Sequence, residues 1–427
     1  MALGRHLVVI VGVAAVANVA DAQQKVTGPV AVYWMSAATQ TGFGMPGAGG
    51  VGGGKPDAQA MMRMMMGGGG GGANKSLTLQ LGSSQTSPAP AADHLPPAGL
   101  GVGADLPLVS PRVQPTAPPA DDTAQIPREY QKPRGRILIF WGCGEHAGPG
   151  QPVVIDLAAV TAGKAPAAMA ALRGLDVRPM QPPSAYRHKT YGEWPNDRTQ
   201  TTVPSTGSLV GAHMIRGNYS PQINVTLDED QDFLGGLNLT TNVRAPGGWT
   251  NLGWNLVGNA QAYLASAVGG GGGGRGGGDG ETIVMWSSSE TQAGGFAMPD
   301  YLSNADITRL VANKTLMGPA TRACAVPKEV MDAMPQGLVQ MVAYGGEANF
   351  AYPPRPADPK AAWNQQWAVK VRYRSATGGL LGMAMPDMGG GRGAGGPPPP
   401  GQPPQPPPRK PKASDILKGL GGLPFPR

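Results

Sequence analysis

Short apolar, β-branched runs, cut repeatedly by glycine, proline or asparagine, set the pattern of this chain. Runs of that length suit strands, and the breakers between them stop a helix after a few turns. Glycine (67 residues) and proline (45 residues) far exceed ordinary usage and gather in tracts, so the part that can fold is shorter than the full 427 residues. The run at 76–81 alternates polar and apolar residues as a half-buried strand does. The run at 136–141 is apolar almost throughout, as in a strand covered on both faces. Further strands are expected at 152–157, 208–215, 222–227, 237–243, 250–255, 260–267, 281–288, 338–344 and 367–374. Scattered proline across 83–135 removes backbone donors, which predicts extended surface chain there with a short strand around 106–109. Short helices are expected at 165–172, 305–312 and 328–334, and a polar-aromatic loop at 186–195.

Two of the strand-like runs continue with nearly the same residues. Trp34, Ser36, Thr39, Gln40 and Gly42 recur without a gap as Trp286, Ser288, Thr291, Gln292 and Gly294. Phe43, Met45 and Pro46 recur after one inserted glycine as Phe296, Met298 and Pro299. A looser third relative ends its apolar run at Trp141 and places an acid, Glu145, four residues on, as Glu290 follows Trp286. The expectation is a strand that ends in Trp and turns sharply at small residues. Thr39, Gln40, Thr291 and Gln292 would close the turns by side-chain to backbone hydrogen bonds, with Trp34 and Trp286 each buried against its own sheet.

Residues 249–264 hold Trp254, then Gly258-Asn259-Ala260, then Tyr263. This stretch resembles fibronectin type III and related immunoglobulin-like domains, where a strand ending in Trp leads through a short turn into a strand opening with Tyr. The resemblance implies a sandwich and no particular activity. The expected fold is mainly β: two packed β-sandwich units of immunoglobulin/fibronectin III-like type with long Gly/Pro-rich inserts. The first unit would span 23–205, with a Gly/Met insert at 47–75 and the Pro-rich segment at 83–135. The second would span 206–385, with a glycine loop at 269–280, and a disordered, Pro-rich basic tail would follow at 386–427.

Arg5 and His6 precede an apolar run at 7–19, and Ala20-Asp21-Ala22 fits small-residue cleavage. Residues 1–22 therefore read as a secretory signal, with a mature chain starting near Gln23 in a secreted or periplasmic setting. No later run reads as a membrane span. Of the net charge of +7, the tail at 386–427 contributes six basic and two acidic side chains, leaving the body close to neutral. A near-neutral body argues against a nucleic-acid groove, and the basic tail is a candidate contact for an anionic envelope polymer or a protein partner.

Catalytic signatures such as G-x-S-x-G, H-E-x-x-H and the P-loop are absent. Five histidines and two cysteines leave few candidates. Cys143 and Cys324 would pair as a disulfide in an oxidising compartment, with free thiols or a metal or catalytic role for Cys143 and His146 as alternatives. Met61, Met62, Met64, Met65 and Met66 form a thioether cluster that suits Cu(I) or Ag(I), and equally a short apolar helix packing on a core. Asp228, Asp230 and Asp232 alternate as in a calcium loop, but Phe233 and Leu239 stand where that loop needs Gly and Glu, so a plain acidic turn is the competing reading. Glu145, His146 and Glu193 are the residues a hydrolase would use. The leading expectation is an exported cell-envelope β-sandwich protein without a catalytic role or cofactor, acting as a binding or structural module. Soft-metal binding and hydrolysis are the alternatives.

Overall fold

Alternation of apolar and polar side chains becomes strand in most places where the sequence shows it. The computed structural model describes residues 24–42, 73–111, 135–161, 177, 179–199, 201–270, 281–292 and 298–383. The expected leader, Met61 to Met66, the helix expected at 165–172, residues 271–280 of the glycine loop and the tail at 386–427 lie outside them. In chain order the first strands are β1 (Val26–Thr27), β2 (Ala31–Gln40), β3 (Asn74–Ser83), β4 (Ala92–Leu95), β5 (Leu106–Pro107) and β6 (Gly135–Trp141). Next come β7 (Val153–Asp156), β8 (Thr190–Trp194), β9 (Gly211–Gly217), β10 (Ile223–Leu227), β11 (Leu239–Arg244) and β12 (Thr250–Trp254). The last are β13 (Ala262–Gly270), β14 (Glu281–Ser287), β15 (Ala323–Val326), β16 (Leu338–Tyr352), β17 (Trp363–Asn364) and β18 (Trp367–Leu380). Helices Asn304–Ala312 and Lys328–Ala333 stand close to their expected places.

The chain is mainly β, with a nine-stranded sheet ordered β7-β6-β14-β13-β16-β18-β2-β3-β8. A four-stranded sheet (β10-β9-β4-β5) and a three-stranded sheet (β11-β12-β15) share one apolar core with it. Tyr33, Met35, Leu79, Leu81, Val369 and Val371 meet Leu106, Ile215, Val225, Leu252 and Trp254 in that core. Full burial of each such side chain contributes about 1.5–3 kcal/mol relative to exposure.

The division expected at 205/206 does not separate the sheets. The nine-stranded sheet takes β2, β3, β6, β7 and β8 from before that point and β13, β14, β16 and β18 from after it. The four-stranded sheet likewise joins β4 and β5 to β9 and β10. The interleaving comes from long-range pairings: β18 with β2 and β14 with β6, both parallel, in the nine-stranded sheet, and β4 with β9, antiparallel, in the four-stranded one. Local pattern finds strands but carries no information on such partners.

Strand β2 opens the hairpin β2–β3 and lies parallel to the second strand of the hairpin β16–β18. Strand β6 opens β6–β7 and lies parallel to the second strand of β13–β14. The order β3-β2-β18-β16 is thus matched from the other direction by β7-β6-β14-β13. By topology the counterpart of β2 is β6, which ends at Trp141, rather than β14.

The expected Trp turns are corrected accordingly. Strand β2 runs on through Thr39 and Gln40 instead of turning after Trp34. Its small residues Ser36, Ala37 and Ala38 are buried, being small because the strand is covered on both faces. Strand β14 ends one residue after Trp286. Both indoles are buried, but on opposite faces: Trp286 lies in the shared core beside Val284, while Trp34 alternates with the core residues Tyr33 and Met35 and faces outward. The indole N–H of Trp286 donates to the Gly142 carbonyl at 2.9 Å.

A disulfide joins Cys143, just after β6, to Cys324 in β15, with Cα atoms 5.2 Å apart. It ties the nine-stranded sheet to the three-stranded one, and the backbone bond from Gly144 N–H to Ala325 O (2.9 Å) runs beside it. In the stretch 249–264, Trp254 ends β12 in the three-stranded sheet and Tyr263 lies in β13 of the nine-stranded sheet, with ring centroids 5.9 Å apart.

Candidate functional site

The outer face of the nine-stranded sheet carries an organised polar surface. Helix Asn304–Ala312, capped by Ser303, covers this face over β13 and β16 by burying Ile307 and Leu310 against Ala262, Leu264 and Tyr344. Beyond the helix, register places Asn349, Lys370, Trp34, Gln80 and Glu193 side by side on five successive strands, β16, β18, β2, β3 and β8. Glu347, Arg372, Ser36 and Thr78 form the next row. Directly opposed side chains in neighbouring strands have Cβ atoms roughly 4.5–5.5 Å apart, so each row is continuous.

Two local features build these rows. Strand β18 alternates Val369, Val371 and Tyr373 toward the core with Lys370, Arg372 and Arg374 toward the outside. Strand β16 shifts register between Tyr344 and Glu347. This bulge reverses the alternation, so that Ala348 and Phe350 pack on the core while Glu347 and Asn349 turn outward. Gly346 makes the bulge possible: its φ is +71°, and a Cβ there would lie 2.0 Å from Asn304 Oδ1.

The cations are engaged unequally. Lys370 pairs with Glu347 Oε2, and Glu347 Oε1 also accepts from Asn349 Nδ2 at 3.1 Å. Arg374 pairs with Asp300 at 2.7 Å. Arg372 lies between two rings, 5.0 Å from the Trp34 centroid and 4.3 Å from that of Tyr301, and its Nε donates to Ser36 Oγ at 2.7 Å. Burial pushes the Arg372 guanidinium below its ordinary value and the Tyr301 hydroxyl above its own.

At the other end of the row Gln80 Nε2 donates to the Tyr191 hydroxyl (3.0 Å), which donates to Glu193 Oε2 (2.5 Å). Burial, and then the Glu193 carboxylate, raise the Tyr191 hydroxyl. Gln80 Oε1 is buried and has no partner among the described residues. The loop expected at 186–195 is therefore corrected: Thr190–Trp194 is an edge strand, with Trp194 turned into the core. His188 packs on Gly82, where a Cβ would come within 2.4 Å of its ring, and Tyr186 is exposed.

A second polar cluster is sealed inside the core, between the nine- and four-stranded sheets. His213 Nε2 meets the Leu209 carbonyl at 2.7 Å and so carries a proton. With His213 neutral, its Nδ1 accepts from His94 Nε2 at 3.0 Å, and His94 Nδ1 accepts from the Tyr33 hydroxyl at 2.5 Å. Every ring nitrogen is satisfied with both imidazoles neutral. Burial lowers both histidines below their ordinary value, helped at His94 by the neighbouring His213.

The hydrolase residues are dispersed. Glu145 is exposed, and His146, also exposed, pairs with Glu329 at 2.9 Å. Glu193 lies on the edge strand β8, seven strand spacings from β6, roughly 34 Å along the sheet. Thr39 Oγ1 donates to Leu234 O (2.7 Å), Gln40 Nε2 to Thr41 O (2.9 Å), and Thr291 Oγ1 meets Thr315 Oγ1 at 3.1 Å, while Gln292 is exposed. Asp228 caps the short 3₁₀ turn Glu229–Gln231 in a capping box. Asp232 accepts from Ser208 Oγ, Leu209 N–H and Phe233 N–H, all at 2.7 Å. Among the described residues no group of three His, Cys, Asp or Glu side chains gathers as a metal site, and no helix is long and apolar enough to cross a membrane.

The charged half of the outer surface was missed by sequence reasoning. Its available signal was the alternation Lys370-Val371-Arg372-Tyr373-Arg374, three cations at strand period. No protein-family model, curated protein or solved structure matches this chain.

Proposed function

We propose that this chain is an exported, non-catalytic binding module of the cell envelope whose binding surface is the outer face of the nine-stranded sheet. The observation that carries the reading is the row Asn349, Lys370, Trp34, Gln80, Glu193, held in register across five strands, in which Asn349, Lys370 and Glu193 reach solvent around the buried Trp34 and Gln80. A sheet face needs no such row for stability, since half-buried ion pairs contribute little against their desolvation cost. Dispersal of Glu145, His146 and Glu193 leaves the hydrolase reading without a converged site. The leader-like residues 1–22 and the single disulfide agree with export.

Two measurements test this. Intact mass of protein recovered from the producing cells should correspond to a start near Gln23, and retention of residues 1–22 would contradict export by cleavage. Full-length protein should co-sediment with insoluble envelope polysaccharide prepared from the same cells. Absence of co-sedimentation at low ionic strength would contradict the binding role.

A further inference from the structure

We infer that Arg372 is a receptor for the carboxylate of a uronic-acid sugar in an envelope polysaccharide. This names the ligand class for the surface proposed above and rests on that reading. Three cations, Lys370, Arg372 and Arg374, share the outer face of β18 with two carboxylates, Glu347 and Asp300. The carboxylates are bonded to the outer two cations, and the patch keeps one positive charge at its centre.

That central guanidinium is fixed before any ligand arrives. Trp34 and Tyr301 pack their rings against it, and its Nε donates to Ser36 Oγ. No acceptor among the described residues takes Nη1 or Nη2, the two nitrogens that form a fork for an oxyanion. A planar, monoanionic carboxylate matches both the fork and the residual charge of the patch. A phosphate dianion would bring a second negative charge up against Glu347 and Asp300. Fixing the arginine in advance also removes much of the ordering cost of binding.

The surroundings favour a sugar over a peptide. Extended peptides are captured at sheet edges through main-chain hydrogen bonds. Arg372 lies on the face of β18, which is paired on both sides by β16 and β2 and has no free edge. What the face offers is side-chain donors and acceptors, among them Asn349, Lys370 and Glu193, and these suit a hydroxyl-rich chain.

The test is calorimetric titration of the full-length protein with oligogalacturonate, with the methyl ester of the same oligomer, and with poly-glutamate. The acid oligomer should bind, and the ester and poly-glutamate should bind at least about tenfold more weakly. Arg372→Gln and Arg372→Lys should each lose roughly 10- to 100-fold in affinity. Lysine keeps the charge and the packed stem, so it decides the matter if the glutamine variant does not fold. Equal binding by the ester, wild-type affinity in folded Arg372→Lys, or tighter binding of poly-glutamate would each overturn the inference. Co-sedimentation with envelope polysaccharide that ignores the Arg372 substitutions overturns this inference and leaves the binding role standing. Loss of co-sedimentation by the wild-type protein removes the role itself.

Discussion

Acid should loosen this fold through the His94–His213 pair. Both imidazoles are neutral and sealed between two sheets, at 0% and 1% exposure. Their pKa values are lowered in the folded chain relative to about 6.5 in the unfolded one. Above pH 6.5 neither state binds a proton, and stability is independent of these groups. Below it the unfolded chain takes up protons that the folded chain refuses, so stability falls with pH until the folded-state values are reached. One proton costs about 1.4 kcal/mol per pH unit in the limit, so roughly 3 kcal/mol is the ceiling on what the pair removes between pH 7.5 and 5.5. Urea midpoints at half-unit pH steps, with the wild type beside a His94→Gln/His213→Gln double variant, measure this. The variant is less stable at every pH but should have a much flatter slope over the same window. Identical slopes in the two proteins would refute the account of a neutral, buried pair.

Trp286→Ala should cost about 3–5 kcal/mol by denaturant midpoint, since the indole is fully buried and its N–H bond to Gly142 is lost with it. Trp34→Ala should cost less, because Trp34 lies on the outer face rather than in the shared core, and it should also free the Arg372 guanidinium that the indole ring helps to hold. Replacing Cys143 and Cys324 together by serine should lower stability by about 2–5 kcal/mol, the upper figure corresponding to a link across a sequence separation of 181. Gly346→Val should destabilise by more than about 2 kcal/mol, through the positive φ and the clash with Asn304, and should weaken ligand binding by displacing Glu347.

Elements were more legible than partners. The alternation that marks Val369, Val371 and Tyr373 as a core face is written in β18 itself, and the same holds for Ile223, Val225 and Leu227 in β10. Helix Asn304–Ala312 stands within one residue of the helix expected at 305–312. The pairing of β2 with β18 was not visible, because parallel partners more than 300 residues apart leave no local signature. The Trp34 and Trp286 stretches show the limit from the other side. Their residues match, yet Trp34 alternates with Tyr33 and Met35 in a strand covered on both faces, while Trp286 lies in the core one residue before its strand ends. Identical residues took opposite faces because register, not composition, sets the side. At the candidate site, Glu193 was picked out for its chemistry but read as part of a loop, since a five-residue edge strand ending at Pro195 gives little periodicity. Arg372 was overlooked because its significance lies in Trp34, Ser36 and Tyr301, which only the fold brings to it.

The most direct test of the binding surface is a chemical-shift map. Backbone amide spectra of the full-length protein would be recorded with and without a soluble fraction of envelope polysaccharide. The account expects shifts at residues 347–349 and 370–374, around Ser36 and around Tyr301, with the outward residues of the four-stranded sheet, such as Met214 and Asn224, unmoved. Shifts confined to the four-stranded sheet, with residues 370–374 unchanged, would contradict the assignment of the outer face of the nine-stranded sheet as the functional surface.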